Sequence, residues 1–356
     1  MSPIRLTDDV TVPAGITLTI LSGVEVQFAK TPAHTGGYYQ TLTELLIEGA
    51  IVADGGDPAT ATGIAFVSDA AIPDAGDWGM LLVSQNGQGA FRNVYMAHGA
   101  GCLNARHSAR VTVRESWFEL CGDFDNLTGG AVVRAEDASL EVYDSLFYEN
   151  LVGLYFHGNR ATATLTAQRN AMQFNAYGVY LTIASNPSLT GNDISMNLVG
   201  LRANDQSAPA VYNNFFEDNE ISGVEVRNQA VLTNFQHNNI NNPEARASEG
   251  FDLSYANSTV ELQAINNYWG PFTEAEIETH IRHRPDDPLL GLVRFVPFAT
   301  SPFPVPESGR WGDLFISRPG PRNVNHGLEQ NSGRIPFPHL PASTIKELTD
   351  RMRGLP

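Results

Sequence analysis

The chain has 356 residues, 42% apolar and 17% charged, with 32 Gly and 21 Pro. It is too apolar for a disordered chain and too poor in Glu and Lys for a coiled coil, so one elongated repeat domain or two ordinary domains are the options. A formal net charge of −17 gives no reason to approach nucleic acid or an anionic membrane, and no apolar run reaches the roughly 18 residues a span needs.

The opening, Met1-Ser2-Pro3-Ile4-Arg5, lacks the basic and apolar regions of a secretory signal. It fits either a cytoplasmic protein or a mature boundary with an added Met. Two alternating stretches come next, at 11–20 and 22–28, and then a repeat sets in. A Gly followed by alternating apolar residues recurs at Gly79, Gly101, Gly130, Gly153, Gly178, Gly200, Gly223 and Gly250, at intervals of 22 to 29 residues.

Each unit carries a second short apolar run behind Asn, Asp or Ser: Asn93, Ser116, Ser145, Asn170, Asp193, Asn214, Asn239 and Asn267. Several units close on another Asn: Asn150, Asn175, Asn197 and Asn219. The runs are short, alternate with period two and are cut by Gly and Asn, which predicts strands and not helices. Stacked in parallel, such units place like residues above one another at roughly 4.8 Å per layer. An Asn column at a bend fits this, since one amide can donate to the next and Asn tolerates left-handed backbone.

Three stretches then resemble the right-handed parallel β-helix of the pectate-lyase-like superfold, in its bacterial secreted and cell-surface branch. They are 11–28, the Gly/Asn repeats from Trp78 to Asn267, and the closing Asn266-Asn267-Tyr268-Trp269-Gly270-Pro271 with the chain onward to Phe298. The resemblance implies an all-β solenoid over 1–305 with a capping helix near 274–284, then an irregular Pro-rich segment, 306–356. Thr273 is the expected N-cap, Glu276 lies in the first turn, and Pro285 is the expected stop. A last short helix is signalled by the capping-box pattern Thr344-Ile345-Lys346-Glu347.

Counting from each Gly, the first and third residues are apolar and point inward, so the second and fourth point out. One outer face then offers Tyr155, His157, Tyr180, Arg202, Asn204, Glu225, Arg227 and Asp252. Aromatic rings with arginines and carboxylates suit a glycan. In an eliminating enzyme, Tyr155, Tyr180 or His157 would take the proton while Arg202 or Arg227 neutralised a carboxylate. The same residues are also what an ordinary solvent-facing strand carries.

Catalytic signatures of relatives on this fold are missing: the paired aspartates, Gly-His-Gly and Arg-x-Lys of polygalacturonases, and the Asp-Pro-His-Asp of alginate epimerases. His280 and His283, with Asp286 and Asp287 beyond, have metal-ligand spacing but read as a solvated helix face, so no metal or other cofactor is expected. Cys102 falls inward and Cys121 takes the place of a closing Asn. The pair reads as buried thiols, with a disulfide open only if the Cα atoms lie within about 7 Å in an oxidising compartment. Trp311, Phe315, Phe337 and the Ile345/Leu348/Met352 face make 306–356 a candidate docking segment. The leading expectation is a non-catalytic extracytoplasmic protein that binds a polysaccharide or a partner protein. A polysaccharide lyase and a structural subunit of a larger assembly are the alternatives.

Overall fold

A computed structural model describes residues 3–32, 36–122, 131–158, 163–183, 186–247 and 250–304. Among these residues, three parallel sheets of ten, eleven and nine strands run along the chain, and neighbours within a sheet lie three strands apart in sequence order, except for the last pair of the eleven-stranded sheet, which lie two apart. Each coil therefore visits sheet A, sheet B and sheet C before rising one layer, and the whole is a right-handed parallel β-helix. One coil shows the plan: Ala171–Gln173 in sheet A, Tyr177–Thr182 in sheet B and Ser188–Thr190 in sheet C. Sheet C is the strand per coil that the Gly and Asn periodicities do not mark. Its alternation is there, as in Val111 and Val113 or Leu140 and Val142, all buried.

Strands pair in register, so side chains form columns. Leu154, Val179, Leu201 and Val224 are consecutive partners in sheet B and are fully buried. Each such side chain contributes roughly 1.5–3 kcal/mol by leaving water. The recurring Gly beside this column is required by close approach. A Cβ on Gly178 would stand 2.8 Å from the carbonyl oxygen of Gly200 and 3.0 Å from Asn197 Nδ2.

Two amide columns hold the corners. In the first, before sheet A, the backbone N–H of Ser145 donates to Asn170 Oδ1, and the chain of such bonds continues through Asn192, Asn214, Asn238 and Asn267 at 2.8–3.1 Å. The periodicity places Asn239 in this column. The structure puts Asn238 there instead, and Asn239 opens the sheet A strand Asn239–Asn241. The second column, between sheets A and B, runs from Cys121 through Asn150, Asn175, Asn197, Asn219 and Asn242. All these asparagines are buried.

The left-handed backbone does not fall on the asparagines. It falls one residue earlier: Arg169 (φ 54°), Asn213 (φ 56°) and His237 (φ 59°) in one column, Phe174 (φ 58°) and Met196 (φ 59°) in the other. The tight corner strains the preceding residue, and the Asn amide then bonds across layers to hold that geometry.

Among the described residues, two short helices interrupt the coils. Pro243–Ala247 (α1) fills a turn before sheet B, a helix the repeat pattern does not announce. Glu274–Thr279 (α2) has the expected N-cap at Thr273, and Glu276 completes a capping box with it. It ends before 284 because Ile281 is buried and pairs with Leu253 at the edge of sheet B, so sheet pairing outcompetes helix extension. Expectations for 306–356, including Trp311, Phe315, Phe337, Ile345, Leu348 and Met352, lie outside the described residues.

Candidate functional site

Parallel register fixes which of the sequence-predicted residues meet on the outer face of sheet B. Arg134, Tyr155, Tyr180, Arg202 and Glu225 are consecutive partners in five successive coils. Arg134 lies over the Tyr155 ring at 4.6 Å, and Tyr155 stacks on Tyr180 with centroids 5.6 Å apart. Arg202 lies 4.7 Å from the Tyr177 ring and 5.9 Å from that of Tyr180, and its Nε donates to Glu225 Oε2 at 2.6 Å. Tyr155 is thus covered on one face by the layer before it and on the other by the layer after. The ring edges and hydroxyls are what this column can offer a ligand.

A second column runs beside the first: Arg106, Glu136, His157 and Thr182 are partners in four successive coils. Arg106 Nε stands 2.9 Å from Glu136 Oε2, and Glu136 also pairs with Arg134. Arg227 lies two residues beyond Glu225 on the same strand. Burial and the nearby Arg202 guanidinium lower its pKa, which records two cations held close together.

Two candidates change place. Asp252 does not share the face, because the Gly250 unit is offset by two residues: Leu253 opposes Val224, and Ser254 opposes Glu225. Asp252 is instead fully buried and caps the second amide column, accepting from the backbone N–H of Asn242 at 2.7 Å. The same offset in the Gly130 unit places Arg134, and not Val132, opposite Tyr155. Asn204 follows the strand Val199–Ala203 and joins a turn network, donating to Asp205 Oδ2 and accepting from Asn228 Nδ2, while Thr182 also donates to Asp205. Asp205 is the hub that sequence reasoning missed.

Tyr177 was also missed, since it precedes the Gly. It is buried, packs edge-on against Tyr180 at 5.3 Å, and burial raises its hydroxyl pKa. Burial raises that of Tyr155 as well. Burial thus favours the protonated form of both hydroxyls.

The N-terminal end of the face is closed by residues 36–44. Arg106 lies over the Tyr38 ring at 4.9 Å. Glu44 is fully buried; its Oε2 accepts from Tyr39 N–H at 3.1 Å, and Oε1 has no partner among the described residues. Burial pushes its carboxyl up to about 7.

His280 and His283 do not converge. His283 Nε2 is 3.1 Å from Glu278 Oε1, and its Nδ1 accepts from the Val293 N–H. Among the described residues no three His, Cys, Asp or Glu side chains form a metal site. The two cysteines are bonded to each other, with Cα atoms 5.9 Å apart. Of the two alternatives the sequence leaves open, the structure has the disulfide: Cys121 stands at the foot of its amide column, within reach of the buried Cys102 one layer away. No helix among the described residues is long and apolar enough to cross a membrane.

A family model described as a right handed beta helix region matches residues 123–268. Among solved structures, the periplasmic alginate epimerase AlgG is 14% identical, with 82% of this chain and 77% of that chain covered at a TM-score of 0.48. A double mutant of the same epimerase gives the same values, and a single mutant a TM-score of 0.43. At that similarity no activity carries over. No curated protein matches the chain.

Proposed function

We propose that the protein is a non-catalytic polysaccharide-binding β-helix that engages an extended glycan along the outer face of sheet B. The observation that carries this reading is the unbroken column Arg134–Tyr155–Tyr180–Arg202–Glu225 over five coils, flanked by Arg106, Glu136 and His157. Arg106, Arg134, Glu136, Tyr155, His157, Tyr180 and Glu225 keep part of their surface in water and repeat at the layer spacing, which suits a polymer of hydroxylated or acidic units better than a compact ligand; buried Arg202 holds Tyr180 and Glu225 from beneath. Mutual pairing keeps these groups rigid, and rigidity lowers the cost of ordering them on binding. The Cys102–Cys121 disulfide supports an extracytoplasmic site of action, where such bonds persist.

The test is a binding screen of the full chain against neutral and acidic polysaccharides. Tyr155→Ala and Tyr180→Ala should each weaken binding at least tenfold in a chain that stays folded, with a lowered melting temperature because the two rings stack on each other. Binding unchanged in both variants would remove the face from the function.

One observation favours the second reading, a polysaccharide lyase or related carbohydrate-active enzyme. Glu44, with its pKa near neutrality, closes the same face beside Arg106, and a carboxyl so tuned can give and take a proton. Its complete burial weighs against contact with substrate. Formation of an unsaturated uronate product by the full chain, lost in Glu44→Gln, would establish that reading instead. The subunit reading depends on 306–356, and deletion of 307–356 tests it. A folded β-helix that no longer joins an assembly is its expected outcome.

A further inference from the structure

At the C-terminal end of sheet B, on the flank of the turns that lead into it, lies an open depression of about 450 Å³ lined by Arg246, Gly250, Phe251, Thr279 and His280. Its walls come from α1, the start of the strand Phe251–Ala256 and the end of α2. The volume falls within the usual range for small-molecule sites.

The charges here are closed among themselves. Arg246 Nη1 donates to both oxygens of Asp252 at 2.9 and 2.8 Å, and its Nη2 donates to Asn241 Oδ1. Asn242 adds its backbone and side-chain N–H groups to Asp252 Oδ1. With the guanidinium neutralised by the carboxylate, neither an anion nor a cation gains much from entering.

His280 is the group left over. Its Nδ1 is buried 3.4 Å from Asp252 Oδ2 and has no hydrogen-bond partner among the described residues. A neutral imidazole carries its N–H on one ring nitrogen and accepts at the other. Burial and the neighbouring Arg246 hold the pKa of the ring down to about 4, so the imidazole is neutral. The Phe272 ring meets His280 edge-on at 4.7 Å and lies under Arg246 at 4.9 Å, which fixes both side chains in place.

We propose that this depression is a second binding site, separate from the sheet B face, for a small neutral polyhydroxylated ligand of the size of a single pyranose. Its wall complements such a ligand group by group, presenting a donor in Arg246, an acceptor in His280, a hydroxyl in Thr279 and an apolar surface in Phe251. A sugar hydroxyl both donates and accepts, and a pyranose ring has an apolar face for an aromatic neighbour. The site does not depend on the glycan reading of the sheet B face.

The experiment is a titration of the full chain, labelled at histidine nitrogen, with glucose, galactose and galacturonate, followed through the imidazole resonances. Glucose or galactose should shift the His280 ring saturably and leave the buried His283 ring unmoved. His280→Ala and the milder His280→Gln should each weaken that sugar at least tenfold, read for the variants by calorimetry. Tyr155→Ala and Tyr180→Ala should leave it unchanged. The absence of a His280 shift at tens of millimolar of either neutral sugar, or a shift with galacturonate alone, would overturn the assignment. Polysaccharide binding that survives His280→Gln but not Tyr155→Ala would show that the face stands independently of this site.

Discussion

Arg202 Nε donates to Glu225 Oε2 at 2.6 Å on the outer face of sheet B, and both side chains are almost wholly withdrawn from water. Sequence alone would place such a pair in solvent, where it contributes little. Here Arg202 is 4% exposed, beneath Tyr177 and Tyr180. Removing one partner leaves a buried charge, and Glu225→Ala should destabilise the protein by roughly 3–5 kcal/mol. The double variant Arg202→Met, Glu225→Leu should recover most of that loss in urea unfolding. If the double variant recovers stability and yet no longer binds polysaccharide, the pair is kept for binding and not for the fold. A loss below about 1 kcal/mol in Glu225→Ala would mean that the pair is hydrated after all.

The amide columns allow a sharper stability forecast. Asn197 Oδ1 accepts from both the backbone N–H and the Nδ2 of Asn175, while its own Nδ2 donates to Met172 O, Ser195 O and Asn219 Oδ1. Asn197→Ala strands a buried N–H and two carbonyls, each costing about 1–3 kcal/mol if unsatisfied. The expected loss is roughly 3–5 kcal/mol after partial relaxation. Gln229→Ala, on the surface, is the control and should change little. A loss in Asn197→Ala no larger than the control's would show that water replaces the amide.

How much of this was legible depends on which constraints are local. The inward columns and the closing asparagines are marked by residue type, because burial and a corner each select a narrow set. Sheet C was not marked, since its alternating residues adjoin neither a fixed Gly nor a fixed Asn. The register of the face was legible only where units have equal length between Gly and strand. Asp252 was misplaced because close approach of neighbouring coils, and not the Gly as such, sets the phase. The disulfide was left open because layer proximity is invisible at a separation of 19 residues.

Glu44 makes stability pH-dependent. Its carboxyl is raised from 4.5 to about 7 by burial, with the neighbouring Asp9 also raising it, and Tyr39 N–H and Arg106 opposing. A group whose pKa is higher in the folded state stabilises that state fully below its unfolded value and loses the contribution as pH rises through the folded one. The wild-type protein should therefore lose part of its melting temperature between about pH 4.5 and pH 7. Glu44→Gln should flatten that part of the profile. Profiles that coincide for the two proteins would mean that Glu44 titrates normally.

Finally, Cys102–Cys121 closes a loop across a sequence separation of 19 at the level where the second amide column begins. Both residues are fully buried, so reductant reaches the bond only through local opening. Loop-closure arithmetic for a loop of this size gives about 3 kcal/mol. Cys102→Ala with Cys121→Ala should therefore lower stability by roughly that amount, while Cys121→Asn, paired with Cys102→Ala, should recover part of it. The recovery rests on the column: an Asn at 121 would supply the amide that positions 150, 175 and 197 already supply in the layers after it. Calorimetric melting of the two double variants decides the point. Equal melting temperatures for both would show that the column needs no amide at its foot. A loss confined to reducing conditions in the wild type would leave the cross-link as the whole of the effect.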